Sequence, residues 1–128
     1  MSSVLVIDDD PDVRDYIVAC VTQQGHKAIT AADGVAGLDV LKTVPIDLVI
    51  TDICMPRKNG IEVILDMSKR FPRIPVIAVT GDIALRHSVE RAAQLHGALA
   101  VLEKPFLPRQ LEMAMRALLP GSRSACAV

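Results

Sequence analysis

Five short apolar runs, each followed by a helical pattern, constrain this chain more than any other feature. The runs are SVLVID, HKAITA, IDLVIT, PVIAVT and ALAVLE. Four of them are apolar almost without interruption, and HKAITA is weaker and shorter. A strand with one wet face alternates apolar and polar side chains, whereas a strand covered on both faces is apolar throughout. The segments between them follow helical spacing. Asp10 is placed to cap a helix that opens with Pro11, carries Val13, Ile17, Cys20, Val21 and Gln24, and ends at Gly25. DGVAGLDVLKTV carries Val35, Leu38 and Leu41 on one face. CMPRKNG is a loop marked by Pro56 and Gly60, and Ile61, Ile64, Leu65 and Ser68 open the next helix. GDIALRHSVERAAQLHG is a helix with Gly97 as its C′ residue. KPFLPRQLEMAMRALL is a turn and a helix packing Leu111, Met115 and Leu118.

Strand then helix, five times over, predicts an α/β protein with a parallel sheet covered on both faces. Right-handed crossovers leave few topologies. Five strands favour the flavodoxin-like order 2-1-3-4-5, a three-layer (βα)5 sandwich. The chain has 128 residues, of which 51% are hydrophobic. That suits one domain with one packed interior, expected over residues 1–119. PGSRSACAV has no apolar periodicity, so residues 120–128 are expected to form a flexible tail.

Composition excludes several classes. Fourteen basic and fifteen acidic residues give a formal net charge of −1, which offers no basic surface for direct nucleic-acid binding. No stretch approaches the roughly 18 apolar residues of a membrane span. The start, MSSVLVIDDD, lacks a basic segment and meets carboxylates too early for a signal peptide. Cys20, Cys54 and Cys126 are odd in number and widely spaced, without a CxxC pair. A reducing cytoplasm fits that usage. His26, His87 and His96 have no metal-ligand spacing.

In an open parallel sheet, ligands sit outside the carboxyl ends of the strands. The first strand delivers Asp8, Asp9 and Asp10 to that rim. The third delivers Asp52, the fourth Thr80 and the fifth Lys104. Adjacent carboxylates repel and lose hydration at the edge of an apolar interior. A cation answers both costs, and carboxylates with open water positions suit Mg²⁺. With that charge neutralised, Asp52 stays ionised and can act as a nucleophile. Thr80 and Lys104 can then donate to the oxygens of a transferring phosphoryl group.

The stretches VLVIDDDPDVR, AADGVAGL, IDLVITDICMPRKNG, PVIAVTG and KPF resemble the receiver domain of two-component response regulators. They occur in that family's order and spacing over roughly residues 3–119. The resemblance implies that Asp52 is the phosphoacceptor and Asp9 a direct Mg²⁺ ligand. Asp8 would act largely through water, and the backbone carbonyl of Cys54 would complete the protein ligands. Thr80 would contact the phosphoryl group, Lys104 would pair with it, and the Lys104–Pro105 bond would be cis. It also implies a phosphoryl donor, a histidine kinase or phosphotransfer protein. An output protein or fused effector domain would be reached through the fourth helix, fifth strand and fifth helix. The expected state is a monomer or weak dimer that modifies itself and has no metabolic activity.

Two departures and one rival bear on this reading. Many receivers carry Tyr or Phe three residues before the lysine; here that residue is Val101, too small to gate a ring-sized pocket. Signalling is therefore expected to run through Thr80 and the GDIALRH segment. Cys54 and Asp82, each two residues beyond a site residue, border the expected path of a hydrolytic water. The rival is a small Mg²⁺-dependent phosphatase of the haloacid-dehalogenase type, with its nucleophile on the first strand. DDDPD contains the required D-x-D, but the chain is short for such an enzyme with a cap, and Asp52-x-x-Met-Pro would have no role.

Overall fold

The computed structural model describes residues 1–55, 57–81, 86–95 and 99–119. Ten elements alternate along the chain: β1 (Ser3–Ile7), α1 (Pro11–Gln23), β2 (Lys27–Ala31), α2 (Gly34–Thr43), β3 (Leu48–Asp52), α3 (Gly60–Arg70), β4 (Val76–Thr80), α4 (Arg86–Leu95), β5 (Leu99–Glu103) and α5 (Pro108–Leu118). All strand pairs are parallel, and the sheet order is β2-β1-β3-β4-β5. This is the expected doubly wound topology. The expectations placed on Pro56, on residues 82–85 including Asp82, on Gly97 and on the tail fall outside the described residues.

The period of two in a strand divides the interior into two clusters. Leu5, Ile7, Val49, Ile53, Val76 and Ala78 face Leu41 of α2, Val63, Ile64 and Met67 of α3, and Val89 of α4. Val4, Val6, Leu48, Ile50, Ile77 and Val79 face Ile17, Cys20 and Val21 of α1 and Leu111 and Met115 of α5. Every residue of β3 and β4 is buried. At roughly 1.5–3 kcal/mol for each fully buried large aliphatic side chain, these two layers supply most of the drive to fold. The edge strands differ. β2 is mostly half-exposed, as its weak pattern suggests. Ala100, Val101 and Leu102 of β5 are half-buried, although their run is as apolar as a central strand.

Local signals act where they were placed. The Asp10 carboxylate accepts from the Asp12 amide at 2.9 Å, capping α1 with Pro11 in its first turn. Gly25 has a φ of +88°. Its N–H donates to the Thr22 carbonyl and that of His26 to the Val21 carbonyl, so the helix ends in a Schellman turn.

Two helix faces differ from expectation. The buried stripe of α3 is Gly60, Val63, Ile64 and Met67, while Ile61, Leu65 and Ser68 lie half-buried on its margin. Apolar residues occur on both sides of that stripe, so spacing alone permits a rotated helix. The close seating of Gly60 on the end of β3 selects the rotation. On α2 the buried positions are Gly34, Gly37 and Leu41, with Val35 and Leu38 half-buried. An added Cβ at Gly37 would come within 2.4 Å of Ile7 Cδ1, so α2 lies closer to β1 than a helix with side chains there could.

Candidate phosphoryl and metal site

The carboxyl rim of the sheet is fixed by backbone ladder bonds that continue past the strands. Asp8 N–H donates to the Ala31 carbonyl at 3.1 Å, Ile53 N–H to Val79 at 3.1 Å, and Lys104 N–H to Thr80 at 2.8 Å. The residues on either side of the switch between β1 and β3 are therefore set by the sheet itself. Gly60 N–H donates to the Ile53 carbonyl at 2.9 Å and closes the loop after Asp52. An added Cβ at Gly60 would lie 2.2 Å from the Asp52 carbonyl oxygen.

Ligand oxygens of Asp8, Asp9 and Asp52 all lie within 4.8 Å of one another. Their environments are unequal: Asp8 is fully buried, Asp52 is 7% exposed and Asp9 is open to solvent. Lys104 Nζ reaches Asp52 Oδ1 at 3.1 Å and Asp8 Oδ2 at 3.5 Å. Asp8 Oδ1 accepts from the Asp10 amide at 2.9 Å. Asp8 Oδ2, also buried, has no hydrogen bond among the described residues. A buried carboxylate oxygen without a hydrogen bond, beside two further carboxylates, is a costly arrangement even with the Lys104 ammonium 3.5 Å away. The donor set, hard oxygens with one acid facing water, fits a Mg²⁺ ion that keeps several waters.

Burial, and then the charge of Asp8, push the Asp52 carboxyl above its ordinary range; Lys104 opposes them in part. Burial alone would pull Lys104 down, but Asp52 and Asp8 more than offset it and hold the amine protonated. The cluster thus sets a buried carboxylate, Asp52, against a protonated amine and two further acids.

The other expected residues are placed as follows. Thr80 is 3% exposed at the end of β4. Asp10 turns away to cap α1. Cys54 is exposed in the loop after β3, and Cys20 is buried on α1. The Lys104–Pro105 peptide bond is cis. Val101 packs at the margin of the α2–α4 side of the interior.

Several residues around the rim were not singled out from sequence. Arg14 Nη1 donates to the Asp8 carbonyl at 3.0 Å. The Tyr16 hydroxyl donates to the Phe106 carbonyl at 3.0 Å. Asp33 caps α2 through the Ala36 amide at 2.8 Å and accepts from Arg57 Nη1 at 3.0 Å. Arg57 has a φ of +68°, an unusual conformation for a residue with a side chain. Only Asp33, directly before a helical pattern, carried a local signal as a cap. Tyr16 and Arg57 depend on partners 90 and 24 residues away, and Arg14 reaches back six residues to a backbone carbonyl.

A family model of the response regulator receiver domain matches residues 4–116. The chain belongs to this family. It is a receiver domain of two-component signal transduction. It is 37% identical over 118 residues to the response regulator MprA of a Mycobacterium species, covering 91% of this chain and 50% of that protein. It is 33% identical over 102 residues to the transcriptional regulatory protein GlrR of Escherichia coli, covering 80% of this chain and 22% of that protein. The receiver domain therefore spans at most about half the length of these curated relatives. Among solved structures, a CheY-like receiver protein from Methanospirillum hungatei superimposes with a TM-score of 0.86 at 27% identity, covering 98% of both chains. The response regulator TrrA of Thermotoga maritima, in complex with Mg²⁺ and BeF, does so with a TM-score of 0.82 at 28% identity, covering 93% of this chain and all of that one. Among the described residues, no helix is long and apolar enough to cross a membrane.

Proposed function

We propose that this receiver domain is a phosphorylation switch whose phosphoacceptor is Asp52. The observation that carries the reading is the grouping of Asp8, Asp9 and Asp52 with Lys104 at one sheet rim. The donor is a phosphohistidine of a histidine kinase or phosphotransfer protein. A carboxylate oxygen of Asp52 attacks the phosphorus, the P–N bond breaks, and the imidazole leaves with a proton. The product is an aspartyl phosphate. Lys104 donates to phosphoryl oxygens as charge moves onto them, and Thr80 donates from the neighbouring strand end. Asp8, Asp9, Asp52 and the Cys54 carbonyl would hold Mg²⁺, which supplies positive charge to offset the carboxylates and the phosphoryl group. Attack by water on phosphorus later breaks the P–O bond, releasing phosphate and restoring the carboxylate.

The output follows as a population shift. Thr80 moves toward the phosphoryl group, favouring a form that an output protein or effector domain binds through α4, β5 and α5. The domain works in the cytoplasm as a monomer or weak dimer. The test is phosphorylation by acetyl phosphate, followed by mass measurement of the intact protein and of its peptides. Wild type should gain one phosphoryl group at Asp52 in Mg²⁺ and none in chelator. Asp52→Asn should gain none while keeping its fold. Label on Asp52→Asn at the wild-type level, or on Asp8 or Asp9, refutes the assignment.

A further inference from the structure

Helix α1 touches both halves of the rim. Arg14 holds the Asp8 carbonyl, and two residues on, Tyr16 reaches the loop that carries Lys104. Tyr16 is the only tyrosine of the chain, and Phe106 is one of two phenylalanines. They meet across 90 positions of sequence. The Tyr16 hydroxyl donates to the Phe106 carbonyl at 3.0 Å, and the two rings lie 5.7 Å apart at 56°. Phe106 is 8% exposed and anchored in the α1–α5 layer of the interior. The two rings, with Val13, Asp12, Pro105 and Lys104, line an open groove of about 510 Å³ beside the site.

We infer that Tyr16 is a positioning residue for Lys104. The Lys104 ammonium must lie 3.1 Å from Asp52 at the end of a long flexible side chain. Its backbone is pinned on the upstream side by the bond to the Thr80 carbonyl. Two residues downstream, the Phe106 carbonyl is pinned by Tyr16. With both ends of the turn held, the side chain starts from a fixed point, and the ammonium loses less freedom on meeting a phosphoryl oxygen. A tyrosine serving only as a packing residue would need its ring and not its hydroxyl. Here the hydroxyl has a defined acceptor in the turn itself. The residue contributes to phosphoryl transfer from α1 without touching the phosphoryl group.

This inference rests on the reading of Asp52 as phosphoacceptor, and the experiment separates the two. Tyr16→Phe keeps the ring and removes the hydroxyl. Its rate of phosphorylation by acetyl phosphate should fall roughly fivefold, the effect of one hydrogen bond. Mg²⁺ affinity, followed by amide chemical shifts, should stay at the wild-type value. The fall should vanish in a Lys104→Ala background, because Tyr16 acts through that side chain. The Lys104 Hε and Cε resonances should also shift in Tyr16→Phe, which decides the matter where Lys104→Ala is too slow to follow. An unchanged rate in Tyr16→Phe, an equal fall in both backgrounds, or unmoved Lys104 resonances overturns the role of Tyr16. Absence of label on wild-type Asp52 overturns the functional reading instead.

Discussion

Gly60→Ala should be among the most damaging single-methyl additions to this domain. The new Cβ would stand 2.2 Å from the Asp52 carbonyl oxygen and 2.9 Å from Ile53 Cα. Carbon–oxygen contacts are comfortable at about 3.3–3.6 Å, so the start of α3 and the end of β3 must separate by about 1 Å. Both neighbours are backbone and cannot rotate aside. Overpacking of this kind costs about 1–3 kcal/mol. The same displacement stretches the 2.9 Å bond from Gly60 N–H to Ile53 beyond hydrogen-bonding distance, a further loss of about 1–3 kcal/mol for buried partners. Alanine's helix advantage returns up to about 1 kcal/mol. The balance is about 3 kcal/mol, or a melting point lower by roughly 10–15 °C for a domain of this size. Two other glycines calibrate the reasoning. Gly81→Ala meets only Lys104 Cβ at 3.7 Å and should melt with the wild type. Gly25→Ala meets nothing within 4 Å but has a φ of +88°, so it should lose about 1 kcal/mol through backbone strain alone. Thermal unfolding followed by far-ultraviolet circular dichroism ranks all three. A Gly60→Ala protein that melts no lower than Gly25→Ala would refute the close-approach argument.

Asp33→Ala removes a helix cap and the Arg57 pair together and should cost about 2 kcal/mol in urea unfolding. Arg57→Ala should cost less than 1 kcal/mol, since its side chain is 63% exposed. Arg57→Gly should be milder still, because it relieves the positive φ; an Arg57→Gly protein less stable than Arg57→Ala contradicts this. Asp8→Asn should weaken Mg²⁺ binding by roughly 10–100-fold in amide-shift titrations; an unchanged affinity removes Asp8 from the metal site. Burial holds His26 below its ordinary value of 6.5, and its Nδ1 accepts from the Ser2 amide at 3.1 Å. The folded state therefore favours the neutral ring. That contribution is complete above the unfolded pKa and declines as pH falls through it toward the folded value. His26→Gln should flatten the fall in urea midpoint between about pH 7.5 and 5, and a slope equal to wild type counts against the assignment.

The sequence alone determined the order of elements, the sheet topology and the identity of the rim residues, because those depend on short-range pattern. Period two and period 3.6 separate strand from helix within a dozen residues. Asp10 before Pro11 and Gly25 after a helical stripe act on their own neighbours. Parallel connectivity then obliges Asp8, Asp9, Asp52 and Lys104 to share one edge, wherever they fall in the chain. Tertiary structure decided what depends on distance and rotation. Pattern could not say that Asp8 is sealed from water while its neighbour Asp9 faces solvent, because burial depends on how α1 leaves the strand. It could not choose between two apolar stripes of α3, which the contact of Gly60 with the end of β3 resolves. Nor could it pair Tyr16 with Phe106 or Arg57 with Asp33. Those partners lie 90 and 24 residues apart, and their side chains carry no periodic mark. They meet because the sheet brings distant loops to the same rim, where a hydrogen bond needs tenths of an ångström and a sequence pattern specifies only which face a residue takes.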